Sequence, residues 1–375
     1  MRAIMIAWAF LWGTCGAQAQ APQPPAVAAH AFHVSDLTSG QVLAQHKADE
    51  RVEPASLTKL MSAYLVFTAM REGRLALAQQ VQVSAHARRA PGSRTFLEAG
   101  SSVSVETLLL GMVVQSGNDA CIALAEVLAG SEALFAEQMN REAARLGMHD
   151  SRFANATGLP HAQHYSTARD LALLAAALIR DFPEEYARFY TMKEFRHNDI
   201  TQMNRNRLLW LDPSVDGVKT GFTEAAGYCL IASSERGGRR LLSVLLGADS
   251  DAARARESQK LLNWGYQFFD GVRLYEPGQA VKAIYVWKGA DQAVRAGFER
   301  GLVVTVPKGE AKLLAAELLT HPPVLAPVRK GDKVGVLRVA LDGRPLGEYP
   351  LVALESVSQA GILGRAWDTL RLWLK

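Results

Sequence analysis

Pro54-Ala55-Ser56-Leu57-Thr58-Lys59 opens an apolar run that continues through Leu60, Met61, Ala63, Tyr64, Leu65, Val66 and Phe67 to Met70. A run that is apolar nearly all round is the pattern of a helix inside a protein. Pro54 suits the first turn, and Gly73 stands where the helix should stop. On a helix, Ser56 and Lys59 rise from one face, about 4.5 Å apart along the axis. An amine is thereby brought within reach of a hydroxyl. A serine becomes a useful nucleophile when a base takes its proton, and a lysine can be that base if burial or a nearby cation lowers its pKa. Alone, the pair is a weak signal, because a surface serine one turn from a solvated lysine has the same spacing.

Two further triplets strengthen it. Ser116-Gly117-Asn118 and Lys219-Thr220-Gly221 follow in that order, and Ser-x-x-Lys, Ser-x-Asn and Lys-Thr-Gly each occur once in the chain. The ordered trio resembles the signature of active-site serine penicillin-binding proteins and class A β-lactamases.

A chain of 375 residues can hold a domain of about 250 residues and a smaller one. With a net charge of only +4 and no long basic run, nothing asks for a nucleic-acid partner. No cofactor motif is present and no cluster has metal-ligand spacing; His161 and His164 flank a turn and read as loop residues. Cys121, on a helix after the Ser-x-Asn triplet, and Cys229, in a buried strand, are expected to be free thiols.

Arg2, the short apolar stretch 3–12 and Ala17-Gln18-Ala19 read as a secretory signal peptide over residues 1–21. Cys15 follows a poor lipobox, so ordinary cleavage near Ala19 or Ala21 is expected. A Pro/Ala linker covers 22–30. Residues 31–270 alternate strand and helix patterns: a hairpin at 31–36 and 41–45, a strand at 80–84, and helices at 105–114, 119–129, 132–146 and 171–180. Strands at 227–233 and 240–247 join through Gly237-Gly238, and a helix runs over 257–269. Over 271–357 short alternating segments at 281–287, 302–306, 333–341 and 350–357 predict a small all-β domain. Residues 358–375 carry Ile362, Leu363, Ala366, Trp367, Leu370, Trp373 and Leu374 at helical spacing with Arg and Lys elsewhere, the look of an in-plane membrane anchor.

Beyond the linker, Ser56-Leu57-Thr58-Lys59, Gln115-Ser116-Gly117-Asn118-Asp119-Ala120-Cys121, Asp216-Gly217-Val218-Lys219-Thr220-Gly221 and the β-like and amphipathic C-terminal parts resemble the class C low-molecular-mass penicillin-binding proteins. These are serine-type D-alanyl-D-alanine carboxypeptidases. The resemblance implies an α+β transpeptidase-like domain, an antiparallel sheet flanked by helices, ahead of the β domain. It also implies Ser56 as nucleophile, Lys59 as base with repulsion from Lys219 and desolvation both lowering its pKa, Ser116 as proton relay, and Asn118 holding Lys59 and the substrate amide. Lys219, Thr220 and Gly221 would lie on an edge strand beside the substrate, Gly221 letting its backbone approach. The N–H groups of Ser56 and Phe222 would form the oxyanion hole, and Arg254, rather than Arg256, would receive the terminal carboxylate. Phe222 departs from the family's histidine and removes a titratable group. Implied partners are stem peptides ending in D-Ala-D-Ala, β-lactams and a membrane surface, for a secreted, periplasmic protein peripheral on the outer face of the cytoplasmic membrane.

Three alternatives stand beside this reading. A class A β-lactamase would carry a Glu-x-x-Leu-Asn-type loop, and none lies between Asn118 and Lys219. An endopeptidase acting on cross-links would use the same motifs. A non-catalytic envelope-binding protein is disfavoured by the intact Ser56, Lys59, Ser116 and Lys219.

Overall fold

The computed structural model describes residues 22–319 and 323–373; the leader read over 1–21 lies outside them. Strands β1 (Ala31–Asp36) and β2 (Gln41–His46) form the expected hairpin, and Gly40 takes its turn at φ +76°. Later in the chain come β3 (Val215–Thr223), β4 (Gly227–Arg236) and β5 (Arg239–Ala248). All five make one antiparallel sheet in the order β2-β1-β5-β4-β3, which leaves β3 at an edge.

The middle strands are apolar on both faces because both are covered. Ile231, Leu242, Val244 and Leu246 join the main core on one side, while Leu230, Ala232, Leu241 and Leu245 pack on the other. The main core also takes α1 (Lys59–Arg71), α2 (Val105–Val114), α3 (Asn118–Ala129), α4 (Glu132–Arg145) and α5 (Ala168–Asp181). Against the second face lies α6 (Asp251–Phe268), through Leu261, Leu262 and Trp264.

Local signals set the helix starts. Ser104, Ser131, Thr167 and Ser250 each accept an N–H from three residues on, opening α2, α4, α5 and α6. Hydrophobic spacing alone starts the last of these at Glu257, whereas the helix starts six residues earlier, at Asp251. Ser250 and the helix-forming Ala252-Ala253-Arg254-Ala255 extend it where no apolar stripe announces it. The nucleophile stretch is also tighter than expected: Ala55–Thr58 is a single 3-10 turn, and α1 begins at Lys59.

From Phe269 onward the chain is β-rich, with a separate core built from Ile284, Val294, Val304, Val339 and Leu351. Its final strand pair is Lys333–Leu341 and Arg344–Ala353, and not a strand over 350–357. Asp342 and Gly343, at φ +48° and +74°, form the two-residue hairpin turn that ends one strand and begins the next. This part meets the first through a polar knot. The fully buried Asp36 accepts from Arg239 Nε at 2.6 Å and from Thr305 Oγ1 at 2.8 Å, and Gln41 Nε2 donates to the Thr305 carbonyl at 3.0 Å.

The chain closes with α7 (Ile362–Trp373). Leu363 and Trp373 are 88% and 87% exposed, so its apolar side faces away from the protein. Its polar side holds the β-rich part: Asp368 Oδ2 accepts the Lys288 N–H at 2.6 Å, and the Arg371 guanidinium lies 5.7 Å from the Trp287 ring. Among the described residues, no helix is long and apolar enough to cross a membrane.

Candidate active site

Strand β3 and the 3-10 turn share a wall of an open cleft of about 770 Å³. Ser56, Ser116, Asn118, Thr220, Gly221, Phe222 and Arg254 all line it. Lys59 and Lys219 lie just behind the wall, both buried. The residues singled out from sequence thus converge from four separate parts of the chain.

Lys59 sits where the first turn of α1 leaves the 3-10 turn. Its Nζ lies 3.0 Å from Ser56 Oγ, 2.6 Å from Asn118 Oδ1 and 2.8 Å from the Thr157 carbonyl. The Asn118 amide is oriented from its other end, where Nδ2 donates to the Pro91 carbonyl at 2.6 Å. Burial pushes the Lys59 pKa down to about 8, and the Arg205 guanidinium adds to the fall. Lys219 is held well below the usual lysine range, first by burial and then by the charge of Lys59. Burial leads at Lys59, as expected, and the repulsion between Lys59 and Lys219 is mutual. Arg205 is a further cation acting on Lys59, and its hint in the sequence is an arginine between two asparagines ahead of β3.

Ser116 is delivered by the loop between α2 and α3. It is buried at φ +66°, and its Oγ has no hydrogen-bond partner among the described residues. A hydroxyl left unpaired in a protein interior calls for an explanation, and a role in chemistry is one. The loop is clamped from outside: the Asp119 carboxylate accepts the Thr95 N–H at 2.8 Å and the Leu97 N–H at 3.1 Å. At Gly117 an added Cβ would meet Thr95 Oγ1 at 2.1 Å, so the clamp requires glycine there.

Two other glycines seat the nucleophile turn. At Gly158, φ +86°, a Cβ would lie 1.8 Å from the Ala55 carbonyl oxygen. At Gly221 it would lie 3.2 Å from Ala55 Cβ, Leu57 Cγ and the Pro54 carbonyl oxygen. The room at Gly221 is therefore taken by the 3-10 turn packing on β3, and not by a substrate backbone as expected. Gly158 reads in sequence as an ordinary turn glycine, because its partner is about 100 residues away.

Arg254 reaches the cleft from α6. Nη1 donates to the Gly221 carbonyl at 3.0 Å, Nη2 pairs with Asp251, and the guanidinium lies 5.5 Å from the Tyr228 ring. Arg256 points away and pairs with Glu257 at 3.1 Å. Phe222, half exposed at the cleft mouth, leans on Tyr228 with ring centroids 4.4 Å apart. Lys219 Nζ donates to the Thr220 carbonyl at 3.0 Å. His164 is a packing residue, its Nε2 2.8 Å from Thr58 Oγ1, and Cys121 and Cys229 are buried and unbridged.

Residues 18–250 match the family model described as D-alanyl-D-alanine carboxypeptidase, peptidase S11, and residues 269–359 match the C-terminal domain of penicillin-binding protein 5. The chain is 44% identical to D-alanyl-D-alanine carboxypeptidase DacC of Escherichia coli, over 96% of this chain and 92% of that one. It is similar to the crystal structure of penicillin-binding protein 5 from Haemophilus influenzae, with a TM-score of 0.84 and 36% identity, covering 90% of this chain and all of the other. Penicillin-binding protein D2 of Listeria monocytogenes, solved with ampicillin bound, gives a TM-score of 0.59 at 32% identity over 64% of this chain and 98% of its own. The chain belongs to the D-alanyl-D-alanine carboxypeptidase family, peptidase family S11.

Proposed function

We propose that this protein is a serine DD-carboxypeptidase that removes the terminal D-alanine from peptidoglycan pentapeptide stems through an acyl-enzyme on Ser56. The observation that carries the proposal is the set of three partners around Lys59 Nζ. Asn118 Oδ1 and the Thr157 carbonyl can only accept, so they hold two N–H bonds. A neutral amine then has its lone pair left for Ser56, whose O–H donates to it across 3.0 Å.

The chemistry follows from that polarity. Ser56 Oγ attacks the carbonyl of the penultimate D-alanine while Lys59 takes its proton. The N–H groups of Ser56 and Phe222 receive the oxyanion. On collapse the C–N bond breaks, and the Ser116 hydroxyl passes a proton from Lys59 to the leaving nitrogen. D-alanine departs, and water cleaves the ester with proton transfer through the same groups. Arg254, helped by Lys219 and Thr220, receives the carboxylate that marks the chain end.

A β-lactam carries a carboxylate and a reactive amide and would acylate Ser56 in the same way; the ampicillin complex of the Listeria relative supports this. The outward apolar side of α7 would lie in a membrane surface, with the protein secreted to the periplasmic side. Labelling with a fluorescent penicillin, with Ser56→Ala as control, tests the acyl-enzyme. Mass spectrometry of pentapeptide-containing muropeptides should then show loss of one alanine from the stem. No adduct on Ser56, or products cut only at cross-links, would refute the proposal.

A further inference from the structure

We infer that Asp251 sets the strength with which the cleft holds a terminal carboxylate, acting as a built-in competitor for Arg254. The inference rests on the proposed role of Arg254 as carboxylate receiver.

Asp251 is the first residue of α6, and its side chain, 42% exposed, lines the cleft. Among the described lining residues it is the one acid, set among Arg205, Arg207 and Arg254. Oδ1 accepts from Arg254 Nη2, and Oδ2 lies 3.7 Å from Arg207 Nη1. It therefore occupies one edge of the guanidinium fork that a substrate carboxylate would use, and it repels that carboxylate as well.

The alternative role, holding Arg254 in place, is already filled by other groups. Nη1 donates to the Gly221 carbonyl at 3.0 Å and lies 3.5 Å from the Cys229 carbonyl. The guanidinium packs on the Tyr228 ring, and the side chain is 6% exposed. Without the charge of Asp251, Arg254 would stay where it is and bind anions more tightly.

A terminal carboxylate interacts similarly in the ground state and the transition state, so weakening its hold raises KM and leaves kcat. The benefit falls on clearance. The free D-alanine that departs carries the carboxylate held by Arg254 and would otherwise linger there.

The test is calorimetric and independent of turnover. An N-acetylated tripeptide ending in D-Ala-D-Ala, as the free acid and as the C-terminal carboxamide, is titrated into Ser56→Ala and into Ser56→Ala/Asp251→Asn. The preference for acid over amide should rise about tenfold in the double variant, a value discounted for the half-exposed position. Asp251→Ser, which removes the charge and leaves the Ser250 cap in place, should behave like Asp251→Asn, while Asp251→Glu should keep the original preference. With Ser56 present, KM for the acid should fall at constant kcat. An unchanged preference, a reduced one, or no binding of either peptide would overturn the inference. The penicillin-labelling result stands separately, so loss of this inference and loss of the proposed function are distinguishable.

Discussion

The pH dependence of acylation is the sharpest consequence of the Lys59 site. Burial lowers the Lys59 pKa to about 8, and the base form is the neutral amine. Its share is about one part in eleven near pH 7, about half near pH 8 and about ten parts in eleven near pH 9. Because the pKa is lowered and the deprotonated form is required, activity is gained as pH rises through that value. The acylation rate should climb about tenfold from near pH 7 to near pH 9, with close to one logarithmic unit per pH unit on the lower limb. Phe222 adds no titration of its own. Rapid-quench measurement of fluorescent-penicillin adduct formation, from about pH 6 to about pH 10, gives the profile. Arg205→Gln removes a cation that favours the neutral amine and should move the midpoint up by a few tenths of a unit. A rate that is flat or falling between these limits would refute Lys59 as the base.

Other outcomes follow from packing. Gly221→Ala forces β3 away from the nucleophile turn; a loss of about 1–3 kcal/mol in urea unfolding and at least about tenfold in acylation is expected, and wild-type behaviour in both assays would contradict the seating role. Asp36→Ala leaves the largely buried Arg239 without its partner, so chemical denaturation should show a loss of about 3–5 kcal/mol, whereas a change within error would show that the knot carries little. Deleting residues 361–375 should abolish sedimentation with anionic vesicles and leave penicillin labelling intact; continued sedimentation would remove α7 as the anchor.

The three motifs were legible in the sequence because each is local: a serine and lysine one turn apart, a serine on a loop between two apolar helices, and a lysine on an alternating strand. The hairpin strands and α2 to α5 were legible for the same reason, through hydrophobic periodicity. What escaped depends on distant partners. Gly158 and Gly221 matter because the nucleophile turn presses on both, and no spacing rule joins residues that far apart. The start of α6 escaped because its first two turns bury an arginine and a glutamate, Arg254 and Glu257, where an apolar stripe would be expected. Asp251 carries no motif, and its meaning arises only from the guanidinium beside it. Arg205 was hidden in the same way. Electrostatic neighbours are set by the folded surface, so the charge that Arg205 adds near Lys59 left no trace in the order of residues.

The grip of Asp368 and Arg371 on the β-rich part has a geometric corollary. A helix on a loose string could drift, tumble and approach a bilayer at any angle, but α7 is clasped on the side opposite its oily stripe. Were that stripe to sink into lipid headgroups, the rest of the molecule would stand up from the surface with a set heading. Which strands of the wall polymer could be trimmed would then depend on their distance from the bilayer, with the folded chain itself as the measuring rod.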